Sequence, residues 1–141
     1  MLSDRIEHLL PHVGAMRMIA AVVRWSDEDI ECTVLSHRDA ANPMRIDGRL
    51  PAVCGLEYGA QAMALHGALV AGRDAKPRVG LLVAAHELAW QVARLDTIAG
   101  ALTVCARCLL GSAYQVAYEF DLRDGVRSLV HGRASVMLAV A

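Results

Sequence analysis

One stretch limits what this chain can become: residues 52–71, entered through Pro51 and left through Gly72, in which Val53, Leu56, Ala60, Met63, Gly67 and Val70 recur at three- and four-residue steps. That period is helical, and Pro51 supplies the fixed φ that a first helical turn accepts. The other positions include Gly55, Gly59, Ala62, Ala64 and Ala68. With so little side chain on any face, the helix reads as one enclosed on most sides. The rest of the chain must supply its cover.

The flanking sequence has the period of strands. Val- and Ile-rich alternation at 16–25 and 29–35, separated by Ser26-Asp27-Glu28, predicts a hairpin, and four more strands are expected near 79–91, 99–110, 112–122 and 126–140. Gly111-Ser112 and Asp124-Gly125 mark two of the turns. Residues 36–50 lose the period and collect Asn42, Pro43, Asp47 and Gly48, an irregular loop long enough to be functional. Ser3 and Asp4 ahead of Ile6, Leu9 and Leu10 predict a short opening helix stopped by Pro11. At 141 residues one core is expected, so residues 1–141 read as a single α+β domain, a curled antiparallel sheet around one long helix. Such a sheet leaves an edge strand, and pairing edges by two-fold symmetry removes it, so at least a dimer is expected.

Composition excludes several classes. Hydrophobic residues make up 55% of the chain and charged ones 21%, enough apolar material for a core. The net charge of -1 offers no field of one sign, which argues against nucleic acid or an anionic membrane as partner. Met1-Leu2-Ser3-Asp4-Arg5 lacks a basic start followed by an apolar run, and no run approaches the ~20 residues of a membrane span, so a soluble, cytoplasmic protein is expected. Cys105-Ala106-Arg107-Cys108 has the CxxC form of a metal or redox site. It stands inside an expected strand without a second pair or a histidine cluster, so Cys32, Cys54, Cys105 and Cys108 read as reduced small residues and no metal is expected.

Glu57 is the anomaly: an interior position of an apolar helix, with no Lys or Arg three or four residues away on either side. Burial of an unpaired carboxylate is expensive. Either the helix shows Glu57 along a solvated edge, or the group is kept for chemistry. Gln61, four residues on, puts an amide on the same stripe. Of six histidines, His8, His66, His86 and His131 fall within expected regular elements and read as structural. His12 and His37 lie where the chain is irregular, free to meet a carboxylate as general acid-base work requires. The helix start is a second candidate, since the N–H groups of Ala52 and Val53 lack helical partners and carry the positive end of the dipole. A carbonyl docking there would have its developing charge stabilised, with the small Ala52, Cys54 and Gly55 admitting an acyl group. The plainer account is that small residues permit tight packing.

The run Leu50-Pro51-Ala52-Val53-Cys54-Gly55-Leu56-Glu57-Tyr58-Gly59-Ala60-Gln61 resembles the active-site helix of the β-hydroxyacyl-acyl-carrier-protein dehydratases, and Leu9-Leu10-Pro11-His12 resembles that family's N-terminal segment. The resemblance spans most of the chain and implies the hotdog fold. It implies a hydro-lyase that removes water from a β-hydroxyacyl thioester held by acyl carrier protein or coenzyme A, without a cofactor. In that family a loop histidine meets a helix acid of the other subunit across a two-fold dimer, which implies Glu57 as the acid and Gln61 as its orienter. The family's histidine belongs eight residues before Pro51, where this chain has Pro43. Asn42-Pro43-Met44-Arg45 and Gly48-Arg49-Leu50-Pro51 resemble instead the divergent dehydratases of aryl-polyene pigment clusters, in which some members are thought to be half of a paired dehydratase. His37 or His12 is then the expected base, and Arg45, Arg49 and Arg73 are candidate contacts for an acidic carrier, against the plainer account that lone arginines are solvated. A hotdog thioesterase, or a non-catalytic partner in a hetero-oligomer, shares the same architecture.

Overall fold

The structure, a computed structural model, describes residues 18–72 and 80–138. The expected opening helix with His8, the His12 that follows it, and Arg73 all lie outside the described residues. Six strands, β1 (Ile19–Trp25), β2 (Asp29–Val34), β3 (Gly80–Trp90), β4 (Leu102–Gly111), β5 (Gln115–Asp124) and β6 (Arg127–Leu138), form one sheet in the order β1-β2-β4-β5-β6-β3. Every pairing is antiparallel. The long helix α1 (Gly55–Ala71) packs on β1, β2, β4, β5 and β6, so the sheet curls around it in the hotdog arrangement.

The expected helix forms over the predicted span with one difference. Ala52–Cys54 is a turn of 3-10 helix, because the Cys54 N–H bonds the Pro51 carbonyl at 3.0 Å before α1 begins. Strand ends move by a few residues. β5 starts at Gln115 because Ser112 closes a turn in front of it: its N–H bonds the Gln115 carbonyl at 2.9 Å and its Oγ accepts the N–H groups of Tyr114 and Gln115.

Alternation along the strands decides which face is the core. Ile30, Ala106 and Phe120 are cross-strand neighbours, as are Cys32, Val104 and Leu122, and all six are buried. Each large apolar side chain buried this way is worth about 1.5–3 kcal/mol. On the opposite face the pairs are Asp29 with Arg107, Arg107 with Glu119 and Glu119 with Arg133, charges of alternating sign. Such pairs contribute roughly 0.2–1 kcal/mol each, so the inner face dominates the stability. A groove of about 500 Å³ on that outer face is lined by strand residues such as Arg107, Glu119 and His131, and no residue of α1 reaches it.

The glycines of α1 serve the packing. A Cβ at Gly59 would stand 2.7 Å from the Phe120 ring, and one at Gly55 would stand 2.9 Å from Val130. The helix therefore seats directly on β5 and β6. Cys105 and Cys108 do not form a site: Cys108 is paired with the buried Tyr118, whereas Cys105 is paired with Asp121 on the outer face.

Candidate active site

The loop before α1 is more ordered than its composition implied. Ser36–Arg38 is a 3-10 turn, and Ile46 and Arg49 bond each other's backbones at 2.8 and 3.0 Å around Asp47 and Gly48, with φ of 51° and 74°. Two successive positive φ values are the demand of a tight hairpin turn, which Asp-Gly meets. Arg45 binds this loop together: its guanidinium donates to the carbonyls of Asp39 at 2.9 Å, Gly48 at 2.7 Å and His37 at 3.3 Å. It also lies 3.8 Å from Asp96. Arg45 is thus committed to bonds within its own loop.

Asp96 anchors the helix entrance. Its carboxylate accepts the Leu50 N–H at 2.9 Å and is paired with Arg94. The Arg94 guanidinium holds the Asp96 carboxyl well below the usual carboxylate range, against the opposing effect of its own desolvation. The Leu50 carbonyl accepts Leu95 N–H at 2.8 Å, and the Ala52 N–H donates to the Ala93 carbonyl at 3.1 Å. That last bond corrects the expectation of an open amide at Ala52, which is also buried. Gly55 likewise faces Val130, so its small size seats the helix. Val53, 46% exposed, and the half-buried Cys54 remain toward the surface.

Glu57 stands in the first turn of α1, partly buried. Gln61, fully buried, donates from Nε2 to Glu57 Oε1 at 3.1 Å, and its own Oε1 accepts the Met18 N–H at 2.9 Å. The stripe expected from the i, i+4 spacing is therefore made, and the amide fixes the carboxylate. The Cys54 thiol is pushed up by burial and, secondarily, by the Glu57 charge. A held carboxylate beside a neutral thiol and small side chains can pass a proton to or from a bound hydroxyl.

His37 differs from its expectation. It is fully buried, with Nε2 on the Ile98 carbonyl at 3.1 Å. A carbonyl only accepts, so Nε2 carries the hydrogen and Nδ1 the lone pair; Nδ1 has no partner among the described residues. Burial pushes the imidazole below its ordinary value, and within the chain the ring bonds Ile98 rather than Glu57. The 3-10 turn, absent from the sequence expectation, is what aims it inward.

Three polar residues at the site escaped sequence reading. The half-buried Ser36 Oγ and the buried Tyr58 hydroxyl and Asn42 Nδ2 form a group, with Ser36 to Tyr58 at 3.0 Å and Asn42 to Tyr58 at 3.3 Å. Asn42 Oδ1 also accepts the Met44 N–H at 2.9 Å. That local turn was legible in Asn-Pro; the reach to Tyr58 was not.

A curled antiparallel sheet wrapped on one central helix defines a hotdog protein. The chain belongs to the ApeP-like family: the family model, described as ApeP dehydratase, matches residues 4–139. Among solved structures, the dehydratase heterocomplex ApeI:P from Xenorhabdus doucetiae is similar at TM-score 0.82 and 24% identity, over 96% of this chain and 91% of that one. AziG of S. sahachiroi is similar at TM-score 0.65 and 15% identity, over 94% and 99%. A hypothetical thioesterase with coenzyme A from Streptococcus pneumoniae is similar at TM-score 0.60 and 12% identity, over 84% of each chain. These identities speak for the fold. No curated protein matches. No helix among the described residues is long and apolar enough to cross a membrane.

Proposed function

We propose that this chain is a dehydratase subunit that removes water from a β-hydroxyacyl thioester, borne by acyl carrier protein or coenzyme A, in polyene-type biosynthesis. The observation that carries this reading is the Glu57 carboxylate held by Gln61 in the first turn of α1, in a chain of the ApeP-like family. A base takes the α proton, the electron pair of that bond forms the new double bond, and the β-hydroxyl leaves as water after Glu57, which starts the cycle as the carboxylic acid, gives it a proton. The enoyl thioester remains, and transfer of the abstracted proton to Glu57 resets the site. Val53 and Cys54, at the exposed side of the helix entrance, are the proposed wall of the acyl site. The base is a histidine, whose range suits the task near neutrality. His12 is this chain's candidate, and His37 joins it only if its ring leaves Ile98.

A second reading is favoured by Pro43, which stands where the resembling dehydratases carry their histidine. In it, this chain is one half of a two-chain dehydratase and the other hotdog chain supplies the base. The ApeI:P structure is by its name a heterocomplex, which supports a hotdog partner for this chain too. The edge of β3, which no described strand covers, is the proposed seam, 11 residues long with Val83 and Trp90 exposed at 45% and 51%. The test is product analysis with a β-hydroxyacyl thioester, on the chain alone and with its hotdog partner. Enoyl thioester supports dehydration; free acid with free thiol supports a thioesterase instead.

A further inference from the structure

Hydrogen-bond directions around Met18 can be assigned one by one. Met18 precedes β1, and side chains bind both of its polar backbone groups: its N–H goes to Gln61 Oε1 at 2.9 Å, and its carbonyl accepts from Ser36 Oγ at 2.9 Å. With the Ser36 proton committed to that carbonyl, Ser36 Oγ accepts at its 3.0 Å contact, so the Tyr58 hydroxyl donates. The Tyr58 oxygen in turn accepts from Asn42 Nδ2 at 3.3 Å, whose other hydrogen goes to the Ser36 carbonyl at 3.0 Å. Tyr58 is fully buried, and burial pushes its phenol above the ordinary value, so the proton stays available to donate.

The consequence falls on Gln61. A buried amide has two orientations related by a flip, and only one turns Nε2 toward Glu57. The Met18 N–H selects that one, because the flipped amide would set two donors against each other at Met18. An unmade pairing of this kind in a buried site is expensive. Whatever holds Met18 in place therefore helps to hold the carboxylate through Gln61.

We propose that Tyr58 is a positioning residue for Glu57, acting through Ser36, the backbone of Met18 and the fixed amide of Gln61. This rests on the reading of Glu57 as the reacting acid. Tyr58 adjoins Glu57 in sequence yet acts on it by a path through the loop and the residue before β1. The hydroxyl is the operative group, since the ring of a phenylalanine would fill the same space.

The test compares Tyr58→Phe, Ser36→Ala, Gln61→Met and the double variant Tyr58→Phe/Gln61→Met, each assembled with the hotdog partner where turnover requires it. Tyr58→Phe and Ser36→Ala are expected to lower kcat roughly 10- to 100-fold, as small misplacements of a reacting group do, with KM unchanged. In the Gln61→Met background, Tyr58→Phe is expected to add less than about twofold, because both changes break one path. Losses that multiply would overturn the proposal. Should wild type show no turnover, the functional reading fails by itself, and the proposal is judged on the side-chain amide resonances of Gln61. Tyr58→Phe and Ser36→Ala are expected to move those resonances and leave those of the exposed Gln91 unmoved; unmoved Gln61 resonances in a folded variant would overturn it. Ser36→Ala carries the same test if Tyr58→Phe does not fold.

Discussion

His66 Nδ1 and the Tyr118 hydroxyl meet at 2.5 Å, with the two rings edge to face and their centroids 5.5 Å apart. The other ring nitrogen, Nε2, reaches the Ser26 carbonyl at 2.8 Å and must carry the hydrogen there. Nδ1 is then the acceptor, and Tyr118, whose phenol burial pushes far above its ordinary range, donates. The pair joins α1 to β5 and to the β1–β2 turn, a structural role in keeping with the sequence reading of His66. Tyr118→Phe leaves Nδ1 buried without a donor, so a loss of about 1–3 kcal/mol is expected in urea unfolding. An unchanged midpoint would show that the bond adds nothing to the fold.

Much of the architecture was legible because the two periods of the chain do not overlap. The helical step of 52–71 and the alternation of the strands gave the element order, and the spacing of Glu57 and Gln61 gave a contact that the structure contains. What was not legible depends on long-range placement. His37 looked free in a loop, yet Ile98, 61 residues later, receives its ring. Arg45 looked like a surface charge, yet three carbonyls of its own loop surround it. Ala52 looked like an open amide, yet Ala93 closes it. The Asp47-Gly48 hairpin was within reach of sequence reasoning, since that dipeptide favours two positive φ values.

Gly59 is expected to tolerate no side chain. The methyl group of Gly59→Ala would meet the Phe120 ring at 2.7 Å, so overpacking should destabilise the protein by about 1–3 kcal/mol despite alanine's better helix propensity. Adding Phe120→Leu should recover part of the loss. Thermal unfolding of the single and double variants checks this, and a Gly59→Ala variant as stable as wild type would contradict the close seating of α1 on β5.

Asp96 should make stability depend on acid. Its folded-state value is depressed by Arg94, so its contribution is complete above the ordinary carboxylate value of 3.8 and is lost as pH falls below it through the folded value. Asp96→Asn is expected to be less stable than wild type at neutral pH, with the difference shrinking as pH is lowered through that window. Chemical unfolding at a series of pH values reads it. A difference that stays constant with pH would mean that the Asp96 charge is not what secures the helix entrance.

The β3 edge predicts assembly. Val83→Lys puts a charge on the exposed edge, a device that blocks strand pairing. Sedimentation should show wild type associated, with itself or with a hotdog partner, and the variant dissociated at equal concentration while its unfolding midpoint is kept. Unchanged association would place the seam elsewhere.

Glu57→Gln tests the central claim most directly, because it keeps the shape of the side chain and removes the proton donor. With the assembled protein and a β-hydroxyacyl thioester, enoyl formation is expected to fall by roughly 100-fold or more in kcat, within the range for loss of a general acid, and KM to stay near its wild-type value. Turnover equal to wild type would mean that Glu57 is not the acid of the reaction and would overturn the account.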